Sequence, residues 1–250
     1  MVSSVLFVTI CAFQVQGTPV NGFRPNIPET KQADKITPEM RGDIFMARKM
    51  YREAIEMYKT GPLDSAVLAN KIGIGYHQLL DLESARKWYE KAIKMHGDYA
   101  EAVNNLGTIY YAKKSYRRAV SQYKKALRIT PDSASILSNL GTAYFARKNY
   151  DLAFATYQQA LKLDPEVFEH RSSMGVLLQD RTVEERAKFH YYLAKTYAKS
   201  GDVERALIYI RKALEEGFKD PDKFKQEPEF AAVRKNPEFD HIISAEHKVL

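Results

Sequence analysis

The residues of this chain best suited to act on another molecule are amides and hydroxyls at regular helical spacing. Asn104, Asn105, Thr108 and Tyr111 form one set, and Ser138, Asn139, Thr142 and Phe145 repeat its character further on. At about 100° per residue each set falls on one arc of a helix. Amides and hydroxyls both donate and accept hydrogen bonds, which suits an extended peptide backbone carrying one donor and one acceptor at every residue. Asn70, Lys71 and His77 occupy comparable places upstream. None of these residues assembles a reaction centre, because acid, base and nucleophile do not converge in the pattern. The histidines at His77, His96, His170, His190, His241 and His247 include no i, i+4 pair for a metal ion, and His241 and His247 are too far apart to share one. No Ser-His-Asp signature, phosphate loop or dinucleotide glycine fingerprint occurs. The sequence therefore calls for no enzyme activity, no catalytic residue, no metal and no cofactor.

The elements that must position the amides are set by an internal repeat. Ile72-Gly73 with Tyr76, Leu106-Gly107 with Tyr110 and Leu140-Gly141 with Tyr144 place their glycines 34 residues apart. Ala85, Tyr89 and Ala92 recur at the same offset as Ala119, Tyr123 and Ala126, then as Ala153, Tyr157 and Ala160; Pro131 and Pro165 close the last two units. Val103, Leu106, Gly107 and Tyr110 share the arc opposite the amides, so they form the packing face, with glycine allowing a neighbouring helix to come close. This pattern resembles the tetratricopeptide repeat family, and specifically its bacterial exported members. The resemblance implies an all-α fold, a right-handed solenoid of antiparallel helix pairs. It also implies that the first helix of each pair lines a concave groove, where the amides would face a partner. Superhelical relatives present a ladder of asparagines there; Asn105 and Asn139 match it, whereas Lys71 and Tyr192 interrupt it. The carboxylate clamp of chaperone-binding relatives is missing, since the inward positions hold Asn70, Ile74, Asn105, Ser135 and Asn139.

Five full or partial units follow from the register, over residues 36–65, 66–99, 100–133, 134–167 and 187–216, within a solenoid spanning 36–216. Thr60-Gly61-Pro62 shortens the first. The stretch 168–186 is irregular: Met174-Gly175 and Leu178 look like a first helix without a partner. Thr182-Val183-Glu184-Glu185 is a capping box that starts a new helix near Val183. Residues 217–250 hold three prolines at first helical positions, with Phe224, Phe230, Phe239 and Ile242 expected to close the apolar end of the stack.

Residues 1–17 carry an apolar run from Val5 to Phe13 that is too short to span a bilayer and reads as a signal peptide cleaved before Thr18. Residues 18–35, with Pro19, Gly22, Pro25 and Pro28, read as a flexible linker. Cys11, the one cysteine, would leave with the signal. The expected location is the periplasm after export, or the cytoplasm if the N-terminal segment is not a signal. Lys and Arg number 38 against 31 acidic residues, for a net charge of +7. Arg117, Arg118, Lys124, Lys125 and Arg128 on the second helix of the central unit, with Lys113, Lys114, Arg147 and Lys148 in the turns, give a basic convex ridge. Such charges are also an ordinary solvated helix face. The function expected is a non-enzymatic scaffold holding a peptide or protein segment in the groove. The alternative is an envelope assembly or tethering factor acting through the basic ridge, with peripheral contact to an anionic membrane surface. The basic ridge could also contact nucleic acid, but nucleic acid is not the expected partner, and the oligomeric state is not encoded in the pattern.

Overall fold

Short polar side chains start many of the described helices. Thr37, Ser65, Asp81, Ser133, Thr182 and Asp202 each accept a bond from a backbone N–H in the first turn, satisfying a donor that the helix itself leaves free. The computed structural model describes residues 36–62, 64–169 and 182–245. The signal, linker and Cys11 readings fall outside the described residues, as do His170, Met174, Gly175, Leu178 and His247.

From Thr37 onward the described helices come in pairs. These are α1 (Pro38–Ala47) with α2 (Tyr51–Lys59), α3 (Ala66–Gln78) with α4 (Leu82–Met95), and α5 (Ala100–Ala112) with α6 (Tyr116–Ile129). Then follow α7 (Ala134–Ala146) with α8 (Tyr150–Leu163), and α9 (Val183–Ser200) with α10 (Val203–Glu215). No strand occurs among the described residues. Each second helix also packs on the first helix of the following pair, α2 on α3, α4 on α5 and α6 on α7, and α8 packs on α9. No described helix is long and apolar enough to cross a membrane.

The turn inside each pair is built one way. One residue takes a left-handed conformation, namely Lys49, Leu80, Lys114, Lys148 and Gly201 in turn, with φ between 57° and 87°. This lets Ser115 N–H reach Tyr110 O at 2.8 Å and Lys114 N–H reach Tyr111 O at 2.8 Å, so the last carbonyls of α5 are satisfied.

Within a pair, contact is governed by glycine against tyrosine. A Cβ on Gly73 would lie 2.6 Å from the Tyr89 ring, on Gly107 2.7 Å from Tyr123 and on Gly141 2.5 Å from Tyr157. Gly42 and Tyr58 repeat the arrangement at 2.2 Å in the shortened first pair. Sixteen residues separate the partners each time. In the last pair the two positions hold Ala194 and Ile210, both with no exposure: a larger residue stands where glycine was and a smaller one where tyrosine was. Three of the tyrosine hydroxyls are engaged one position further on. Tyr58 donates to Asp43 Oδ1 at 2.7 Å, Tyr123 to Thr108 Oγ1 at 3.3 Å and Tyr157 to Thr142 Oγ1 at 3.2 Å.

The C-terminal segment closes the stack with α11 (Asp222–Gln226), two 3-10 turns (Pro228–Phe230 and Val233–Lys235) and α12 (Pro237–Ser244). Phe224, Phe230 and Val233 have no exposure, and Phe239 and Ile242 are buried beside them. Tyr191 of α9 stacks on Phe218 at 4.5 Å and donates its hydroxyl to the Glu227 carboxylate at 2.6 Å. Lys195 bridges the same Glu227 and Glu229 at 3.1 and 3.4 Å.

Candidate partner-binding site

The candidate residues sit on the first helices of consecutive pairs, α3, α5 and α7, and the structure brings them into two rows. One row holds Asn70, Asn104 and Ser138; the other holds Lys71, Asn105 and Asn139. The rows are tied diagonally. Asn105 Nδ2 donates to Asn70 Oδ1 at 3.1 Å, and Asn139 Nδ2 donates to Asn104 Oδ1 at 3.0 Å. Each asparagine thus spends one side of its amide on the neighbouring repeat. Asn104, Asn105 and Asn139 stay half-buried. Asn70 is more committed: its Nδ2 also donates to Glu101 Oε1 at 2.9 Å and to Tyr99 OH at 3.3 Å, and it is buried.

Four expected groove residues are therefore covered in the free chain, namely Asn70, Ser138, Thr142 and Phe145. Helical arc arithmetic places Ser138, Thr142 and Phe145 opposite Leu140 and Gly141, but it takes no account of what the next first helix covers. Phe145 meets Phe189 edge-on at 5.4 Å and Tyr192 at 6.0 Å, both from α9. Thr142 bonds Ser138 O at 2.9 Å and receives the Tyr157 hydroxyl, so its role is to anchor α8. Thr108 does the same for Tyr123 but stays half-buried. Tyr111 is half-buried with its ring 5.2 Å from Tyr116.

Lys71 is not a free cation. Its Nζ donates to Glu39 Oε1 at 2.7 Å and to both oxygens of Asp43 at 2.8 Å. Burial pushes the Asp43 carboxyl up, but the bonds from Lys71 and Tyr58 outweigh it and hold the group below the usual carboxylate range. Burial likewise works against the Lys71 charge, and its two carboxylate partners prevail and raise its pKa. His77, half-buried at the end of α3, is pushed down by burial alone.

Sequence reasoning missed the aromatic surface beside these rows. Tyr150 and Tyr192 stack at 5.2 Å and 14°, with Lys188 Nζ 3.9 Å above the Tyr150 ring. Tyr116 and Tyr150 recur at the first position of their helices, a periodicity that was available but lay outside the first-helix pattern. Among the described residues no group of three or more His, Cys, Asp or Glu is placed to hold a metal ion.

Comparisons with known proteins agree with this architecture. A TPR repeat profile matches residues 107–146, and two tetratricopeptide repeat profiles match 134–167 and 187–216. The chain thus carries tetratricopeptide repeats, and its fold is an all-α solenoid of that type. Among solved structures, MamA from Desulfovibrio magneticus RS-1 is similar at 19% identity and a TM-score of 0.50, covering 76% of this chain and 95% of that one. Two further MamA structures match at 19% and 20% identity with TM-scores of 0.49 and 0.48, covering 70% and 74% of this chain and 93% and 91% of theirs. At 19% identity the likeness to the Desulfovibrio magneticus structure concerns the fold alone. No curated protein matches the chain significantly.

Proposed function

We propose that this chain of tetratricopeptide repeats is a non-enzymatic scaffold that holds an extended peptide or protein segment along the inner face of α3, α5 and α7. The observation that supports this most is the diagonal pairing of Asn70 with Asn105 and of Asn104 with Asn139. The pairing fixes each amide plane and leaves its other edge free at half-buried Asn104, Asn105 and Asn139, a preorganised set of donors and acceptors. Tyr111 supplies a half-buried aromatic wall next to them.

The location proposed is the periplasm, after cleavage before Thr18. N-terminal sequencing of the native protein checks this, and an intact Met1 in a cytosolic fraction would end it. The partner is sought by crosslinking and pull-down from the envelope fraction of the native organism. With the recovered segment, calorimetry on Asn105→Ala/Asn139→Ala should show affinity lowered by about tenfold or more, as expected when peptide amides lose their partners. A charge reversal at Lys124 and Arg128 should leave that affinity nearly intact. If the reversal abolishes binding while the asparagine pair is silent, the tethering function through the basic convex surface takes the place of the groove.

A further inference from the structure

An open depression of about 650 Å³ lies between the turn that joins α5 to α6 and the turn that follows α7. Its walls are Lys114, Ser115, Tyr116, Arg117, Arg118 and Arg147. Four of these six are cations, and among the described residues no carboxylate pairs with any of the four. Several cations elsewhere on the described helices are paired. Lys113, one residue earlier, is bonded to Glu83; Arg86 is bonded to Glu83 and Glu90; Lys71 holds two carboxylates. Arg205, in the last pair, is bonded to Glu166 and Asp202.

The local charge pattern is also reversed relative to the other second helices. Glu53, Glu83, Asp151 and Glu204 place an acid in the first turn of α2, α4, α8 and α10, where the helix dipole favours one. The first turn of α6 has no acid and carries Arg117 and Arg118 instead. Like charges gathered in one depression repel one another and destabilise the free chain, and a bound anion relieves that repulsion.

We propose that this depression is a second binding site, which takes the carboxylates of an acidic segment of a protein partner. Three of the four cations are guanidinium groups, whose fork of donors matches a carboxylate in bidentate fashion. The site joins the inner face of the repeats through Tyr116, whose ring lies 5.2 Å from that of Tyr111. The inference goes beyond the groove function and stands without it.

The test uses the full chain and a fluorescent oligoglutamate peptide, with anisotropy read at low and physiological salt. Binding is expected at low salt and weaker at physiological salt. Arg117→Glu/Arg147→Glu should weaken it by about tenfold or more, whereas Lys124→Glu/Arg128→Glu, the same charge change elsewhere on α6, should weaken it by less than about threefold. Asn105→Ala/Asn139→Ala should leave it unchanged, which separates this site from the groove. Should circular dichroism show that the glutamate pair does not fold, Arg117→Gln/Arg147→Gln replaces it, with a loss of about threefold expected. Equal losses in the two charge-reversal pairs, or no binding of oligoglutamate, would overturn the proposal. So would sedimentation with phosphatidylserine vesicles while oligoglutamate stays unbound, because the surface would then be a lipid contact.

Discussion

Tyr123 occupies the space that a methyl group on Gly107 would need, with the ring 2.7 Å from the built Cβ position. Either the ring or α5 must shift to admit it, so Gly107→Ala should lower stability by about 1–3 kcal/mol, the usual cost of overpacking a filled contact. Gly97, with nothing within 4 Å of its Cβ position, is the matched control, and Gly97→Ala should be neutral or slightly stabilising in the same urea titration. An equal loss at both sites would mean that helix approach is not what keeps Gly107. The asparagines bear on stability as well as binding. Because Asn139 Nδ2 bonds Asn104 Oδ1 across two repeats, Asn139→Ala should cost about 0.5–1.5 kcal/mol, more than an exposed polar residue would. This cost was not legible in the sequence. Helical arcs separate Asn105 and Asn139 from Leu106 and Leu140, but they say nothing of a partner 35 residues away on another helix. Phe145 was unreadable for the same reason, since Phe189 and Tyr192 of α9 meet it only once the stack has formed.

Local signals carry furthest at the scale of helices and turns. The capping box at Thr182 and Glu185 forms in full, and α9 begins at Val183 as the pattern S/T-x-x-E implies. The glycine, tyrosine and alanine spacing was legible because a pair of helices packs through residues belonging to one repeat. The turn conformation was less so: Lys49, Leu80, Lys114 and Lys148 stand in left-handed geometry that sequence rules reserve mainly for glycine, and only Gly201 follows them. The turn geometry is imposed by the helices on either side, and a non-glycine residue accepts it at a cost of about 1–2 kcal/mol. Leu80 combines this with 81% exposure, so its side chain contributes little packing in return. Leu80→Gly should therefore raise stability by about 0.5–1 kcal/mol, the relief being reduced by the greater freedom of glycine in the unfolded chain. A higher urea midpoint with an unchanged slope is the expected result, and a lower midpoint would show that Leu80 makes packing contacts that matter.

Across the whole array, acid should act through buried histidines before it acts on carboxylates. Burial pushes His190 down, an effect opposed by Glu216, whose Oε2 lies 2.7 Å from Nδ1, and supported by Lys212 and Arg186. Burial also pushes His77 down. For both, the folded pKa lies below the unfolded value near 6.5, so the unfolded chain binds more protons once pH falls past it. Their stabilising effect is complete above that value and is lost as pH drops toward the folded pKa. The melting temperature should fall between about pH 7.5 and pH 5, and His77→Gln should flatten the slope; an unchanged slope would place the transition elsewhere. The end of the array makes a stronger demand. Each repeat buries its apolar face only against a neighbour, so the last pair is stable only if something covers α9 and α10. Phe224, Phe230 and Val233 do so with no exposure, and Lys195, Glu227 and Tyr191 fasten the segment at its polar rim. Phe230 meets Tyr191 at 6.3 Å and Phe224 at 5.2 Å, so its removal leaves a cavity at the junction of cap and solenoid. Phe230→Ala should cost about 3–5 kcal/mol by the usual scale for a buried aromatic. Lys195→Met, which leaves Glu227 bonded to Tyr191, should cost less. Because neighbouring repeats stabilise one another in sequence, the loss should appear first as faster amide exchange in α9, α10 and the cap, with α3 to α6 protected until higher denaturant. Uniform loss of protection from α1 to α12 would show instead that the array folds as one unit and that the cap secures all of it.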